Sequence, residues 1–546
     1  MVGKNQTNEQ RQVNLVDNIS ITAGQHQLKF GVDYRWLSPI ASPLAYSQFV
    51  EFAGMTGPDG ALSGMANAVQ VFAAQGSTVL SKNFSLYGQD SFKITARLTL
   101  TYGLRWDVNP ALKGKSAASE LFTVEGLNDP ATMTLAPRGT PLYATTWGNI
   151  APRLGLAYSL TQRSGLETVL RGGFGIFYDL GSGSLGNVTF GFPFLASGPF
   201  LFNVPFPLTP QQAAPPPFSL TPPVGSLFVA EPNLKLPRTY QWNLAVEQSL
   251  GANQTVSGTY VGAIGRNLLR QDSLFEPNQD FGFVQVTRNT ATSDYHALQL
   301  KFQRRLANGL QALASYTYAH SIDIASNDSF AFNTPSSVSN SNLDRGDSDF
   351  DVRHSFTGAL TYNVPTPTKN RIVRRLLEDW STDGFVIART AVPVNLTASD
   401  VVIAGTFFAS RPDIIPGVPF YLYGSQEPGG KAINPNAFAV PPQGQQGNLG
   451  RNALRGFGAW QADFALHRQF HLNERFGVQF RTEFFNIFNH PNFGNPTVTT
   501  LGQPLFGQST TTLASSLGGG GLNGGFNPLY QIGGPRSIQL AMKLQF

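Results

Sequence analysis

The segment Gln27-Leu28-Lys29-Phe30-Gly31-Val32-Asp33-Tyr34-Arg35-Trp36 decides how the rest of the chain is read. Successive side chains of an extended strand point to opposite faces. Leu28, Phe30, Val32, Tyr34 and Trp36 therefore share one face, and Gln27, Lys29, Gly31, Asp33 and Arg35 the other. One face is oily and the other polar. The same alternation runs from Arg97 to Asp107, where Leu98, Leu100, Tyr102, Leu104 and Trp106 interleave with Arg97, Thr99, Thr101, Gly103, Arg105 and Asp107. It recurs at Tyr240, Trp242, Leu244 and Val246, and at Leu298, Leu300 and Phe302 opposite Gln299, Lys301 and Gln303. It ends the chain as Ile538, Leu540, Met542, Leu544 and Phe546 opposite Ser537, Gln539, Ala541, Lys543 and Gln545.

Alternation alone also fits a soluble β-sandwich or propeller. Two features separate this chain from those folds. Trp and Tyr stand at strand ends, as in the aromatic girdles of an outer-membrane barrel. The connections between about 15 such strands also alternate short and long, as periplasmic turns and outer loops do. Short ones include Thr22 to Gln25, Ile94 to Ala96, Gln162 to Leu166, Leu250 to Asn253, Ala307 to Gly309 and Leu472 to Glu474. Long ones span Ala41 to Lys82, Ala111 to Gly148, Leu180 to Pro237, Leu269 to Asp294, Ile322 to Asp349, Ser399 to Ala459 and Pro491 to Pro535. The predicted fold is all-β: an antiparallel transmembrane β-barrel of the outer-membrane type over residues 12–546, after a disordered or truncated start at 1–11. With short turns in the periplasm, the first segment, Val13 to Ile21, and the last both descend, so an odd strand count leaves the barrel incomplete on its N-terminal side.

Composition agrees. Charged residues make up 13% of the 546, about half the share of an ordinary soluble domain. Aromatics make up 12%, and cysteine is absent, which excludes disulfides, thiol nucleophiles and cysteine-ligated metals. The formal net charge of +5 is small for this length, and the longest basic block is Arg371 to Arg375, so nucleic acid is not expected as a partner. No run reaches the roughly 18 apolar residues of a membrane helix. The start, Met1 to Gln6, lacks the apolar core of a signal peptide.

Particular words carry a resemblance. Leu86-Tyr87-Gly88-Gln89-Asp90-Ser91-Phe92-Lys93, followed by Thr95 to Trp106, resembles the barrel of TonB-dependent transporters, in particular the Oar-like branch. Asn149 to Gly155 with Leu170 to Asp179, and Thr239 to Leu244 with Tyr260-Val261-Gly262 and Gly265-Arg266, look like its next hairpins. The stretch from Gly447-Asn448-Leu449-Gly450-Arg451 through Phe484-Phe485-Asn486-Ile487-Phe488-Asn489-His490-Pro491-Asn492-Phe493-Gly494 is the most specific match. The resemblance implies an outer-membrane transporter with a barrel of about 22 strands around a plug, coupled through a TonB box to an inner-membrane complex. No plug, TonB box or regulatory N-terminal domain precedes the strands here, so the chain reads as the C-terminal two-thirds of such a barrel. TonB would be a partner only through those missing parts.

Five candidate sites follow. The terminal strand with Ile538, Leu540, Met542, Leu544 and Phe546 is a lipid-facing strand and, as in outer-membrane proteins generally, a signal for the barrel-assembly machinery. Asp344, Asp347, Asp349 and Asp351 offer oxygens to Ca²⁺, but the EF-hand spacing is absent, and a solvated segment offset by Arg345 and Arg353 is the favoured reading. His467 and His471 share a strand face about 13 Å apart at about 3.3 Å per residue, too far for one metal. The uncharged loop Leu180 to Ala230 carries Phe190, Phe192, Phe194, Phe200, Phe202, Phe206 and Phe218. These either bind an apolar, peptide or glycan ligand or pack on one another over the barrel mouth. Gly181-Ser182-Gly183-Ser184-Leu185-Gly186 matches a phosphate-loop pattern, but no helix follows to cradle a phosphate.

The function expected is ligand capture by the long loops and passage through a polar lumen that includes Lys29, Asp33, Arg35, Arg105 and Lys301, with no catalysis and no cofactor. The partners expected are outer-membrane lipid and the barrel-assembly machinery. The rivals are a passive porin of about 16 strands and a soluble β-rich adhesin.

Overall fold

A computed structural model describes the chain except for residues 1–6, 53–59, 61, 180–184, 327–335, 338–339, 367–369, 404–405, 443–444, 472–475, 514–532 and 546. Its wall runs in chain order through β1 Thr7–Ala23, β2 His26–Ser42, β3 Ser77–Lys93, β4 Leu98–Val108, β5 Ile150–Thr161, β6 Thr168–Tyr178, β7 Arg238–Ser249 and β8 Gln254–Asn278. It continues through β9 Phe281–Ala307, β10 Leu310–Asp323, β11 His354–Asn363, β12 Trp380–Arg389, β13 Ala459–His471, β14 Gly477–Phe485 and β15 Ser537–Gln545. Each strand pairs antiparallel with the next. The meander is the one expected from alternation. The first strand begins at Thr7, inside the start read as disordered or truncated, because Thr7 to Gln12 continue the ladder opposite Ser42 to Leu37.

The turns at one end are tight for a local reason. Asn308 and Gly309 join β9 to β10 with φ of 52° and 77°, and a two-residue hairpin of this kind needs positive φ at both positions, which Asn-Gly tolerates best. A short helix, α1 (Arg371–Leu377), lies between β11 and β12 at the same end, its first turn capped by the Asn370 side chain.

Registers put the apolar positions in continuous rows. Leu154 lies opposite Tyr102 and Phe174, and Phe174 opposite Trp242. On β15, Leu540 is 67% and Met542 77% exposed. In water such a surface would be costly; against hydrocarbon it is the stable arrangement. Carboxylates interrupt these rows at Asp17, opposite Val32, and at Asp90. Asp90 lies opposite Leu28 and Tyr102, and its Oδ2 accepts from Tyr102 Oη at 3.0 Å and pairs with His26 Nδ1 at 2.7 Å. His26 stands next to the Gly24-Gln25 turn, so the trio lies at the rim of the apolar band.

The long connections are not open loops. The stretch read as a loop from Leu269 to Asp294 is strand: β8 and β9 continue their pairing to a turn at Gln279 and Asp280, beyond the bulges at 265–270. The alternation is present there, with Val284 and Val286 buried, but Arg270, Asp272 and Arg288 disguise it. A small sheet lies within the stretches read as loops 41–82 and 180–237. In it Met65–Ala74 pairs with Tyr46–Glu51 along one edge and with Leu195–Ser197 and Leu201–Pro205 along the other. Val224–Ala230 lies parallel to the outer part of β9. The buried apolar clusters belong mainly to this end of the molecule: Phe194, Leu142 and Leu234 in one, Phe192, Leu227, Phe281 and Val284 in a second, Leu396, Leu449 and Leu454 in a third.

Candidate functional site

The aromatic loop is divided by its surroundings. Phe192 and Phe194 are buried in the first two clusters, and Phe206 packs edge-on against Phe52 at 5.7 Å. Phe190 and Phe200 remain more than half exposed and line a cavity of about 780 Å³. Phe202, also exposed, stacks on Phe200 with ring centroids 5.9 Å apart. The two alternatives for this loop therefore fall to different residues of it.

Four separate segments build that cavity. Phe72 comes from the central strand of the small sheet, Phe228 from the strand parallel to β9, and Phe275 and Phe283 from the β8–β9 tip. Phe275 and Phe283 face each other across the ladder, their rings 4.9 Å apart, and Phe228 meets Phe283 edge-on at 6.3 Å. The backbones at its base run close together. A Cβ on Gly282 would lie 2.9 Å from the Gly225 carbonyl oxygen, and one on Gly225 would lie 2.4 Å from Ser197 Oγ. These contributions are far apart in sequence, so the cavity could not be read from Phe190 to Phe206 alone.

The aspartate cluster meets arginines from distant segments. Asp344 accepts from Arg270 at 2.7 Å and Arg411 at 2.9 Å. Arg451 bridges Asp323 at 2.5 Å and Asp349 at 3.1 Å. Arg455 pairs with Asp347 and, at 2.6 Å, with Asp351, while Arg353 reaches the same two carboxylates at 3.1 and 2.7 Å. Arg345 turns away to Asp294 at 2.6 Å, so it does not offset these acids as the sequence suggested. Ligand atoms of His320, Asp347 and Asp351 lie within 4.8 Å of one another, yet guanidinium groups already occupy the lone pairs a hard cation would use. The arrangement fastens the β10–β11 and β12–β13 connections together. Burial opposes the charge on Asp344 and Asp351, but the arginines and the Ser336 and Ser321 backbone donors outweigh it, so both carboxyls titrate below their ordinary range.

Inside the wall the expected lumen residues share the face opposite the apolar rows. Asp33 lies 3.9 Å from both Arg35 and Arg105, and Arg105 donates to Asp107 at 2.9 Å and Ser85 at 2.6 Å. His467 and His471 each face their own aspartate, Asp383 at 3.5 Å and Asp379 at 3.3 Å. Ile538, Leu540, Met542 and Leu544 project from β15 and are exposed. Phe546, Gly181 to Ser184 and the Leu472 to Glu474 turn lie outside the described residues.

Solved structures share this architecture. The outer membrane transporter YddB of Escherichia coli matches with a TM-score of 0.53 at 11% identity, over 98% of this chain and 54% of that one. The apoprotein form of the FrpB iron transporter of Neisseria meningitidis (F5-1 variant) gives 0.47 at 11% identity, over 98% and 56%. The copper transporter OprC gives 0.44 at 12%, over 99% and 56%. The chain spans about half the length of these structures. No curated protein matches it in sequence. Residues 1–539 match the family described as outer membrane beta barrel domain; the chain belongs to that family, and its place is the outer membrane.

Proposed function

We propose that the chain forms the wall and outer-loop face of a TonB-dependent transporter, which captures a ligand on the long-loop side and passes it into a polar lumen. The observation that carries this reading is the covered long-loop end. Three buried apolar clusters and an arginine–aspartate network organise the loops into a built surface, and ordered loops over a barrel mouth are what a receptor needs. The likeness in fold to the YddB transporter supports it. Coupling to the inner membrane would require a plug and a TonB contact in the working transporter. The barrel-assembly machinery is the second partner, reading β15. We assign the chain no catalytic role.

The test compares host cells carrying the intact gene with cells lacking it, and follows which solutes disappear from the medium with and without a protonophore. Depletion that needs both the gene and the proton-motive force is the expected result. Depletion that survives the protonophore indicates a passive porin, and no gene-dependent depletion contradicts both transport readings.

A further inference from the structure

The cavity between the small sheet and the β8–β9 tip has a composition that selects its occupant. Six phenylalanines, Phe72, Phe190, Phe200, Phe228, Phe275 and Phe283, dominate its apolar walls, with Leu195 and Pro199 beside them. Its volume of about 780 Å³ falls in the range of small-molecule sites, roughly 300–1,000 Å³. Gln70, Asn187, Ser197 and Ser226 place a few hydrogen-bonding groups among the rings. Among the described residues neither Lys, Arg nor His lines it, and the one charged residue is Glu276.

Glu276 is also unusual in conformation. It sits in the bulge where the register shifts between Phe275 and Asn278, with φ of +45°, a left-handed conformation that a residue with a side chain of this size rarely adopts. Its carboxylate has no ion-pair partner among the described residues. A carboxylate beside aromatic faces attracts organic cations twice over, through its own charge and through the negative ring faces, and it repels anions.

We infer that this cavity binds a small aromatic amine. The inference rests on the reading of the loop face as the ligand-capturing surface, and names the class captured. Aromatic ring atoms lie among Phe200, Phe228 and Phe283, and the ammonium group lies at Glu276. An anionic ligand of the same shape loses both attractions.

Three probes with one ring system test this: tryptamine, indole and indole-3-acetate, titrated calorimetrically into the detergent-solubilised full chain. Tryptamine is expected to bind saturably, with a Kd about tenfold below that of indole and further below that of indole-3-acetate. Glu276→Gln is expected to raise the tryptamine Kd several-fold toward that of indole, the ring faces keeping part of the attraction, while leaving indole unchanged. Phe190→Ala and Phe200→Ala, which remove exposed rings and so leave folding intact, are expected to weaken all binding that occurs. Heat-dependent mobility of each variant on gels checks that it is folded. Equal Kd values for the three probes, tightest binding of indole-3-acetate, or no saturable binding of tryptamine overturns the inference. Energy-dependent uptake in cells together with any of those results would sink this inference alone and leave the transport reading standing.

Discussion

Arg455 places Nη2 2.6 Å from Asp351 Oδ2 although 104 residues separate them, and the same nitrogen also bonds Asp347. Its Nη1 donates to the Asp351 carbonyl at 2.7 Å. One side chain thus ties the β12–β13 connection to the strand that enters β11. The Asp351 carboxylate is 1% exposed and keeps Arg353 at 2.7 Å when Arg455 is lost, so the cost falls below the roughly 3–5 kcal/mol of a buried charge left unpaired. We expect Arg455→Ala to loosen the long-loop end without unfolding the wall, seen as faster amide exchange at 391–398 and 447–455 with unchanged exchange in β7. Arg455→Lys should rescue it only in part, since a lysine cannot reproduce the fork to two acceptors.

Acid should act on the same network late. The folded pKa of Asp344 lies below its ordinary value, so its contribution is complete above the unfolded pKa and is lost only as pH falls through the lower folded one. Amide exchange around Ser336 and Arg411, corrected for the intrinsic pH effect, should therefore stay flat from neutral pH down to the usual carboxylate range, begin to rise there, and keep rising until the pH is below the lower folded pKa. Asp344→Asn should show the fast exchange at neutral pH already. A rise in the wild type centred above pH 5 would contradict the assignment.

The phenylalanines of the long loops should separate into two classes. Phe281 is 1% and Phe202 66% exposed. Phe281→Ala empties a packed site and should cost about 3–5 kcal/mol, whereas Phe202→Ala should fall within about 0.5 kcal/mol of wild type. Denaturant unfolding of the long-loop end, read by limited proteolysis, checks both.

Much of this architecture is legible without coordinates, because a lipid-facing strand must show period-two alternation and a barrel must alternate short and long connections. Trp242, Leu244 and Leu540 were readable for that reason. The β8–β9 extension was not: Pro277, the buried ions Arg270 and Asp272 and the half-buried Arg288 look like loop residues, and only packing beneath other loops makes them strand. The cavity was half legible. Phe190 and Phe200 stand out in an uncharged stretch, but Phe72, Phe275, Phe283 and Glu276 join them only through the fold. The partners of the aspartates were the least accessible, since Arg270, Arg411, Arg451 and Arg455 lie 67 to 108 residues away, and local sequence carries no signal of such pairings.

Adjacent positions on one strand should tolerate charge very differently. Leu244 is 53% exposed on the apolar row of β7, and Asn243 faces the other way. Leu244→Arg should destabilise the protein in bilayers by about 2–4 kcal/mol if it lies near the midplane, and Asn243→Arg by much less, measured by urea unfolding from vesicles.

The absence of cysteine makes a spin-label scan of β7 direct, since each introduced cysteine from Tyr240 to Glu247 is the only one present. In vesicles, labels at positions 240, 242, 244 and 246 should collide with oxygen dissolved in the bilayer, and labels at 241, 243, 245 and 247 with a water-soluble nickel chelate. A two-residue alternation of that phase is what a membrane wall requires; water access at every position, or none of the alternation, would contradict it.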